Sequence, residues 1–263
     1  MISSSNVRVD GLVVRYGPTV ALAASTFDLR SGTITALIGA NGSGKTTLLH
    51  ALAGVVEPAA GSIVGNVNVA SALVSQQHHH HRWMPLTVAE VVRMGRYRRL
   101  GLLRRFGPDD RAAVADAAER AEVSDLLTSP FGKLSGGQQQ RVRIAQALAG
   151  EPAVLLLDEP ITGLDPPSQR RILDTMRAER RHGTTVVFST HHLDEAAIAD
   201  QVLVLGGRVL AAGPPDETLR PDVLSLAFEG RMIVLGDRVV LDDHGHQHDH
   251  GVECTPGVDV DAP

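Results

Sequence analysis

Gly39-Ala40-Asn41-Gly42-Ser43-Gly44-Lys45-Thr46 is the stretch most able to do chemistry. It fits the spacing G-x-x-x-x-G-K-[ST]. Glycines let the backbone fold tightly, so that successive N–H groups point inward at phosphate oxygens. Lys45 adds a positive charge over β- and γ-phosphates, and Thr46 offers a hydroxyl to Mg²⁺. Thr47 follows in a helix whose N-terminal dipole also favours an anion. The apolar run Ile34 to Ile38 ahead and Lys45 to Leu52 behind give strand, loop and helix in the order such a phosphate site needs.

A second element is acidic. Val154-Leu155-Leu156-Leu157 is an apolar strand ending in Asp158-Glu159. Asp158 is placed to hold Mg²⁺ through water, since that ion keeps much of its hydration. Glu159 is placed to polarise an attacking water. A third element, Leu134-Ser135-Gly136-Gly137-Gln138, precedes a helix expected to run to about Ala149. Ser135 and Gln138 have capping-box spacing, and the Ser-Gly-Gly start exposes N–H groups and a hydroxyl to an anion. One chain with one phosphate loop has no use for a second anion site, so this one is assigned to the nucleotide of a neighbouring copy.

The elements that must position these groups follow from pattern. Residues 6–30 alternate apolar and polar around Gly11 and Gly17-Pro18, and read as short strands and turns. Residues 62–75 read as strand with turns. From Thr87 to Gly150 apolar residues recur at helical spacing and arginines are dense between 93 and 111, which marks a helical subdomain. Ala153 to Leu157 and Thr184 to Phe188 are apolar runs of the kind buried in parallel sheets. Val202 to Leu205 and Arg208 to Ala211 read as a hairpin. The expected organisation is an α/β main domain over 6–220, with the helical part at about 87–150. A small extension follows at 221–241, with a hairpin expected in 231–241, and then a His-rich, disordered tail at 242–263.

Composition narrows the class. The 263 residues are 43% hydrophobic but only 3% aromatic, so the core is expected to be aliphatic. A net charge of −5 does not favour nucleic-acid binding. The single cysteine, Cys254, cannot close an internal disulfide, which fits a reducing compartment. Met1 to Asp10 has no apolar signal-peptide core, and no run of about 18 apolar residues could span a membrane. Service at a membrane would therefore be by docking to another chain.

With these motifs in order, residues 7 to about 220 resemble the ABC ATPase family, whose fold is a P-loop RecA-like core with a parallel sheet, an N-terminal antiparallel β subdomain and an α-helical subdomain. The resemblance implies ATP and Mg²⁺ as cofactors, and a homodimer in which two ATP molecules are sandwiched head to tail. Gly39 to Thr47 and Asp158 then bind nucleotide in cis. Ser135, Gly136, Gly137, Gln138 and Asp165 do so in trans, and Thr46, Gln76 and Asp158 serve Mg²⁺. Tyr16 stands where the family stacks an aromatic on adenine. Gln76, in Val74-Ser75-Gln76, stands at the glutamine loop that links the metal and water to a permease, with Gln77 the alternative. His191 stands at the switch histidine. Catalysis is thereby assigned to Glu159, His191, Gln76 and Lys45. His192 departs from the family's common acidic residue.

Pro85 to Tyr97, Gly101-Leu102-Leu103 with Arg105-Phe106, and the glutamine-rich Leu134 to Val142 resemble the branch that imports Zn²⁺ or Mn²⁺. That implies a peripheral subunit on the cytoplasmic face of the membrane, an integral permease, and indirectly an extracytoplasmic metal-binding protein. His78 to His81 and the alternating His244, His246, His248 and His250 shift the expectation from manganese toward zinc, because imidazole suits Zn²⁺ better. The tail reads equally as a solvated low-complexity segment. Non-transport ABC ATPases generally carry long coiled-coil insertions or two ATPase halves in one chain, and neither is seen here. A metal-binding module with regulatory nucleotide is disfavoured by the intact Glu159 and His191.

Overall fold

The computed structural model describes residues 7–65, 71–75, 86–101, 104–228, 232–235 and 238–241. Three β elements lead: β1 (Val7–Tyr16) and β2 (Thr19–Leu29) form a long antiparallel hairpin, and β3 (Ile34–Ile38) begins a second sheet. Helix α1 (Lys45–Leu52) follows, then β4 (Ala60–Val64), which pairs with β1 to complete a three-stranded sheet, and β5 (Ser71–Val74). The expected short strands in 6–30 are two strands of ten and eleven residues. Register shifts along β1 absorb the irregular alternation around Gly11.

Helices α2 (Val88–Met94), α3 (Tyr97–Leu100), α4 (Pro108–Arg120) and α5 (Gly136–Ala149) come next. Thr87 caps α2 in a reciprocal box with Glu90. Gly95 then lets that helix approach α5 closely: an added Cβ would lie 1.9 Å from the Gln146 carbonyl oxygen. Arg96 is buried beside it, donating to Asp110 Oδ1 at 3.0 Å and to the carbonyl of Ala149 at 2.9 Å. A buried guanidinium needs this full set of acceptors.

The remaining elements are β6 (Val154–Leu157), α6 (Pro166–Arg181), β7 (Thr185–Thr190), α7 (Leu193–Ala196), β8 (Gln201–Leu205), β9 (Val209–Gly213), α8 (Pro215–Thr218), α9 (Pro221–Phe228), β10 (Met232–Leu235) and β11 (Arg238–Leu241). The main sheet has the order β5-β6-β7-β3-β8-β9, parallel except for β9. Strands β3, β6, β7 and β8 are buried on both faces, which explains their largely apolar runs, whereas the edge strands β5 and β9 are only partly buried. Alternate residues serve two cores: Ile34, Ala36, Ile38, Leu155, Leu157, Val186 and Phe188 face one, and Leu37, Val154, Leu156 and Val187 the other. The second core also holds Leu48, Leu49 and Leu52 of α1 and the inner face of the β1–β2 hairpin, so it ties the phosphate-loop helix to both sheets.

Residues 221–228, read from sequence only as the start of an extension, form α9, whose Leu224, Ala227 and Phe228 are buried in the first core. The expected terminal hairpin is present as β10–β11. The His-rich tail lies outside the described residues.

Candidate active site

Strand order brings the candidate groups together. β7 lies between β6 and β3, with Leu157 opposite Phe188 and Ile38 opposite Thr190. The chain therefore leaves three adjacent parallel strands at the same edge: into Gly39 after β3, into Asp158-Glu159 after β6, and toward His191 after β7. Ligands of open α/β sheets bind at this carboxyl edge.

The loop after β3 is tight. A Cβ at Gly39 would stand 2.3 Å from the Leu205 carbonyl oxygen and 2.6 Å from Ser43 Oγ. Gly42 and Gly44 have φ of +82° and +99°, a region costly for other residues. Gly44 caps α1 with no side-chain hydrogen bond, so the first-turn N–H groups have no side-chain cap. Lys45 Nζ donates to the carbonyls of Gly39 (2.8 Å) and Ala40 (3.1 Å), which holds the ammonium against the loop. Burial draws its pKa below the ordinary lysine value, opposed by the charges of Glu159 and Asp158. Ser43 Oγ is buried with no hydrogen-bond partner among the described residues. A glycine-lined cradle with an orphaned hydroxyl and a lysine across it fits a polyphosphate.

The acidic pair is equally constrained. Thr46 Oγ1 donates to Asp158 Oδ2 at 2.8 Å, so the two oxygens expected to serve Mg²⁺ are already neighbours. This hard-oxygen pair fits that ion. Ser189 Oγ donates to Asp158 Oδ1 at 2.6 Å and accepts from the Glu159 N–H at 2.8 Å. The Asp158 N–H donates to the Val74 carbonyl at 2.9 Å, which joins this corner to the end of β5.

Glu159 has φ of +45°, strained for a residue with a side chain. Strain held at such a position is a marker of function. His191 Nδ1 lies 3.8 Å from Glu159 Oε1. The carboxyl is held below the usual range chiefly by His191, against the opposing effect of burial, with Lys45 and Thr162 contributing further. Thr190 Oγ1 donates to Glu195 and accepts from the His192 N–H, fixing the turn that carries both histidines. Burial raises the Glu195 pKa.

Other candidates lie apart. Tyr16 is exposed at the end of β1, where it pairs with Thr19. The hairpin reaches the phosphate loop at Gly44, whose added Cβ would be 3.0 Å from the Ala21 carbonyl oxygen. Ser135 caps α5 in a reciprocal box with Gln138, as the spacing predicts. Asp165 caps α6 through the Ser168 N–H at 3.3 Å, and its hydrogen bonds to Ser168 hold its carboxyl below the usual range, opposed by desolvation. Gln76, His78 to His81, and His244, His246, His248 and His250 lie outside the described residues. Among those described, no group of three or more His, Cys, Asp or Glu is arranged to hold a metal ion, and no helix is long and apolar enough to cross a membrane. Ser189 is a residue that motif reading passed over. Its sequence signal is a small hydroxyl residue ending an apolar strand.

The comparisons decide the family. A family profile described as "ABC transporter" matches residues 22–162, more than half the chain and including the phosphate loop, Ser135 to Gln138 and Asp158-Glu159. The chain belongs to the ABC transporter family. It is 36% identical over 87% of its length to the manganese transport system ATP-binding protein MntA of Synechocystis, covering 92% of that protein. It is 37% identical over 80% of its length to the zinc import ATP-binding protein ZnuC of Roseobacter denitrificans, covering 79% of that one. A metal-chelate type ABC transporter solved in an inward-facing conformation superposes with a TM-score of 0.77 at 28% identity, covering 89% of this chain and 94% of the other. The fold is thus the ABC ATPase fold, and the chain is an ABC-type ATPase that uses ATP with Mg²⁺.

Proposed function

We propose that this ABC ATPase drives the import of a divalent metal ion, zinc ahead of manganese, as a homodimer docked from the cytoplasm onto a separate membrane permease. The observation that carries the reading is the similarity, over most of the chain, to ATP-binding subunits named for manganese and zinc transport. Imidazole-rich segments at 78–81 and 244–250 favour zinc between the two, and the tail histidines supply an auxiliary Zn²⁺ site.

Within each subunit, the Gly39 to Thr47 loop binds the phosphates of ATP and Tyr16 lies against the base. Thr46 and Asp158 hold Mg²⁺, with Gln76 its link toward the permease; the ion neutralises phosphate charge. Glu159, kept ionised by His191 and Lys45 and oriented through Ser189, orients the attacking water and draws its proton. His191 stabilises the transferred phosphoryl. Ser135 to Gln138 and Asp165 close over the nucleotide of the partner subunit. Closure and reopening move the helical segments and, with them, the permease.

Radioactive zinc and manganese uptake by cells producing this chain with its permease tests the reading. Zinc uptake above manganese uptake, lost with Glu159→Gln, is expected. Manganese uptake in excess would overturn the choice of metal. Absence of ATP-dependent uptake of either would overturn the importer.

A further inference from the structure

The two loops assigned to the partner's nucleotide are built on one plan. In the first, Phe131 is buried, Leu134 packs on the core, Ser135 caps α5, and Gln139 sits one turn in. In the second, Ile161 is buried, Leu164 packs on the core, Asp165 caps α6, and Gln169 sits one turn in. Gln139 Nε2 donates to the Leu134 carbonyl at 3.1 Å and reaches the Phe131 carbonyl at 3.5 Å. Gln169 Nε2 donates to the Leu164 carbonyl at 3.0 Å and reaches the Ile161 carbonyl at 3.5 Å. The separations are five and eight residues in both cases. Each amide thus spans its own loop, fastening the carbonyls at both ends to the helix that the loop starts.

The two helix starts also touch. Gly137 is buried against α6: an added Cβ would lie 2.2 Å from Ser168 Oγ and 2.5 Å from Ser168 Cβ. A Cβ on Gly136 would meet Leu164 Cδ2 at 3.6 Å. The two loops therefore share a close contact at their helix starts.

We propose that Gln139 and Gln169 are positioning residues that hold both partner-facing loops as one rigid platform. The inference rests on the reading that Ser135 to Gln138 and Asp165 act on the partner's nucleotide. Each acts through the loop whose carbonyls it fastens. A neutral amide suits the task because both partners are carbonyl oxygens and only a donor can bridge them.

Gln139→Glu and Gln169→Glu keep the shape and remove the donor. At pH 8 each variant is expected to lower kcat about tenfold, the size of one lost part-buried hydrogen bond acting at the barrier. Affinity for a fluorescent ATP analogue at the chain's own phosphate loop should be unchanged. A protonated carboxyl regains an O–H donor, so the ratio of variant to wild-type kcat should rise at least about threefold between pH 8 and pH 6, as a neutral acid facing two carbonyls predicts. Gln169→Leu, which has no donor at any pH, should show a flat ratio. A flat ratio for the glutamate variants, or a leucine variant as active as wild type, overturns the platform. In the same assay, mixed Ser135→Arg and Lys45→Ala subunits separate the two layers. No recovered ATPase there defeats the trans reading, whereas recovery beside flat glutamate ratios defeats the platform alone.

Discussion

The half of the site around Gly39 to Thr46 and the half around Ser135 to Gln138 are built in opposite ways. In the first, Lys45, Asp158 and Ser189 are buried, and apart from the hydroxyl of Ser43 the polar groups are already engaged within the chain: Lys45 on loop carbonyls, the exposed Thr46 on Asp158, Ser189 on both acidic residues. In the second, Ser135 and Gly136 are exposed, and the side chains of Ser135 and Asp165 only cap their own helices. One half is organised to hold a ligand within the chain. On the proposed reading the other is presented to the partner subunit's nucleotide. One chain would then carry two unlike half-sites, and damage to each should be separable even where turnover falls equally.

The largest effect should come from Glu159→Gln. Loss of the base is expected to reduce hydrolysis by about 10² or more. ATP binding should survive, and an ATP-bound dimer should accumulate on size-exclusion chromatography with Mg²⁺. Wild-type phosphate release by this variant would remove Glu159 from its assigned role.

Gly137→Ala strikes the other half. The added methyl would meet Ser168 Oγ at 2.2 Å, so α5 and α6 must part. Turnover is expected to fall between about tenfold and a hundredfold, the cost of a misplaced catalytic constellation. Here the ATP-induced dimer should be lost rather than trapped, with nucleotide affinity of the separate subunit retained. Adding Ser168→Gly should return part of the activity. Dimer trapping by Gly137→Ala would erase the contrast between the halves.

Ser189→Ala should be milder. It removes the donor to Asp158 Oδ1 and the acceptor for the Glu159 N–H, and about tenfold in kcat is expected. The ATP-induced dimer should form normally. A reduced dimer with unchanged kcat would place Ser189 in the wrong half.

The smallest effect is on stability against pH. The folded-state pKa of Glu159 is depressed, so the stabilisation from its ionised form is present above the unfolded carboxyl value of about 4.3. It is lost as pH falls through the lower folded value. The stabilising difference in Tm between wild type and Glu159→Gln should therefore shrink as pH falls below about 4.3, with any change between pH 7 and 5 removed by His191→Ala, since His191 is the chief partner. A difference that still changed most near pH 7 in the His191→Ala background would mean that Glu159 titrates far above the range assigned to it.

Much of this was legible in the sequence because the phosphate loop, the Asp158-Glu159 strand end and the Ser135 capping box are contiguous motifs. Their chemistry is local, and local spacing reports it. Ser189 was not legible as a positioning group, since its value depends on the register of β7 beside β6. Nor was the likeness of Gln139 to Gln169, because Gln139 lies in a stretch already read as part of another motif and Gln169 lies in none. Helix α9 was missed because Pro221 to Phe228 is two turns long and its burial comes from tertiary packing on the sheet. The long β1–β2 hairpin was broken up in reading because bulges interrupt its alternation.

Subunit mixing tests the two-half account most directly. Ser135→Arg subunits and Lys45→Ala subunits should each be inactive alone. In a head-to-tail heterodimer both lesions fall on one composite site, and the other keeps an intact phosphate loop facing an intact Ser135. ATPase activity should therefore reappear on mixing, in proportion to the heterodimer formed. Heterodimers that form and remain inactive would contradict it.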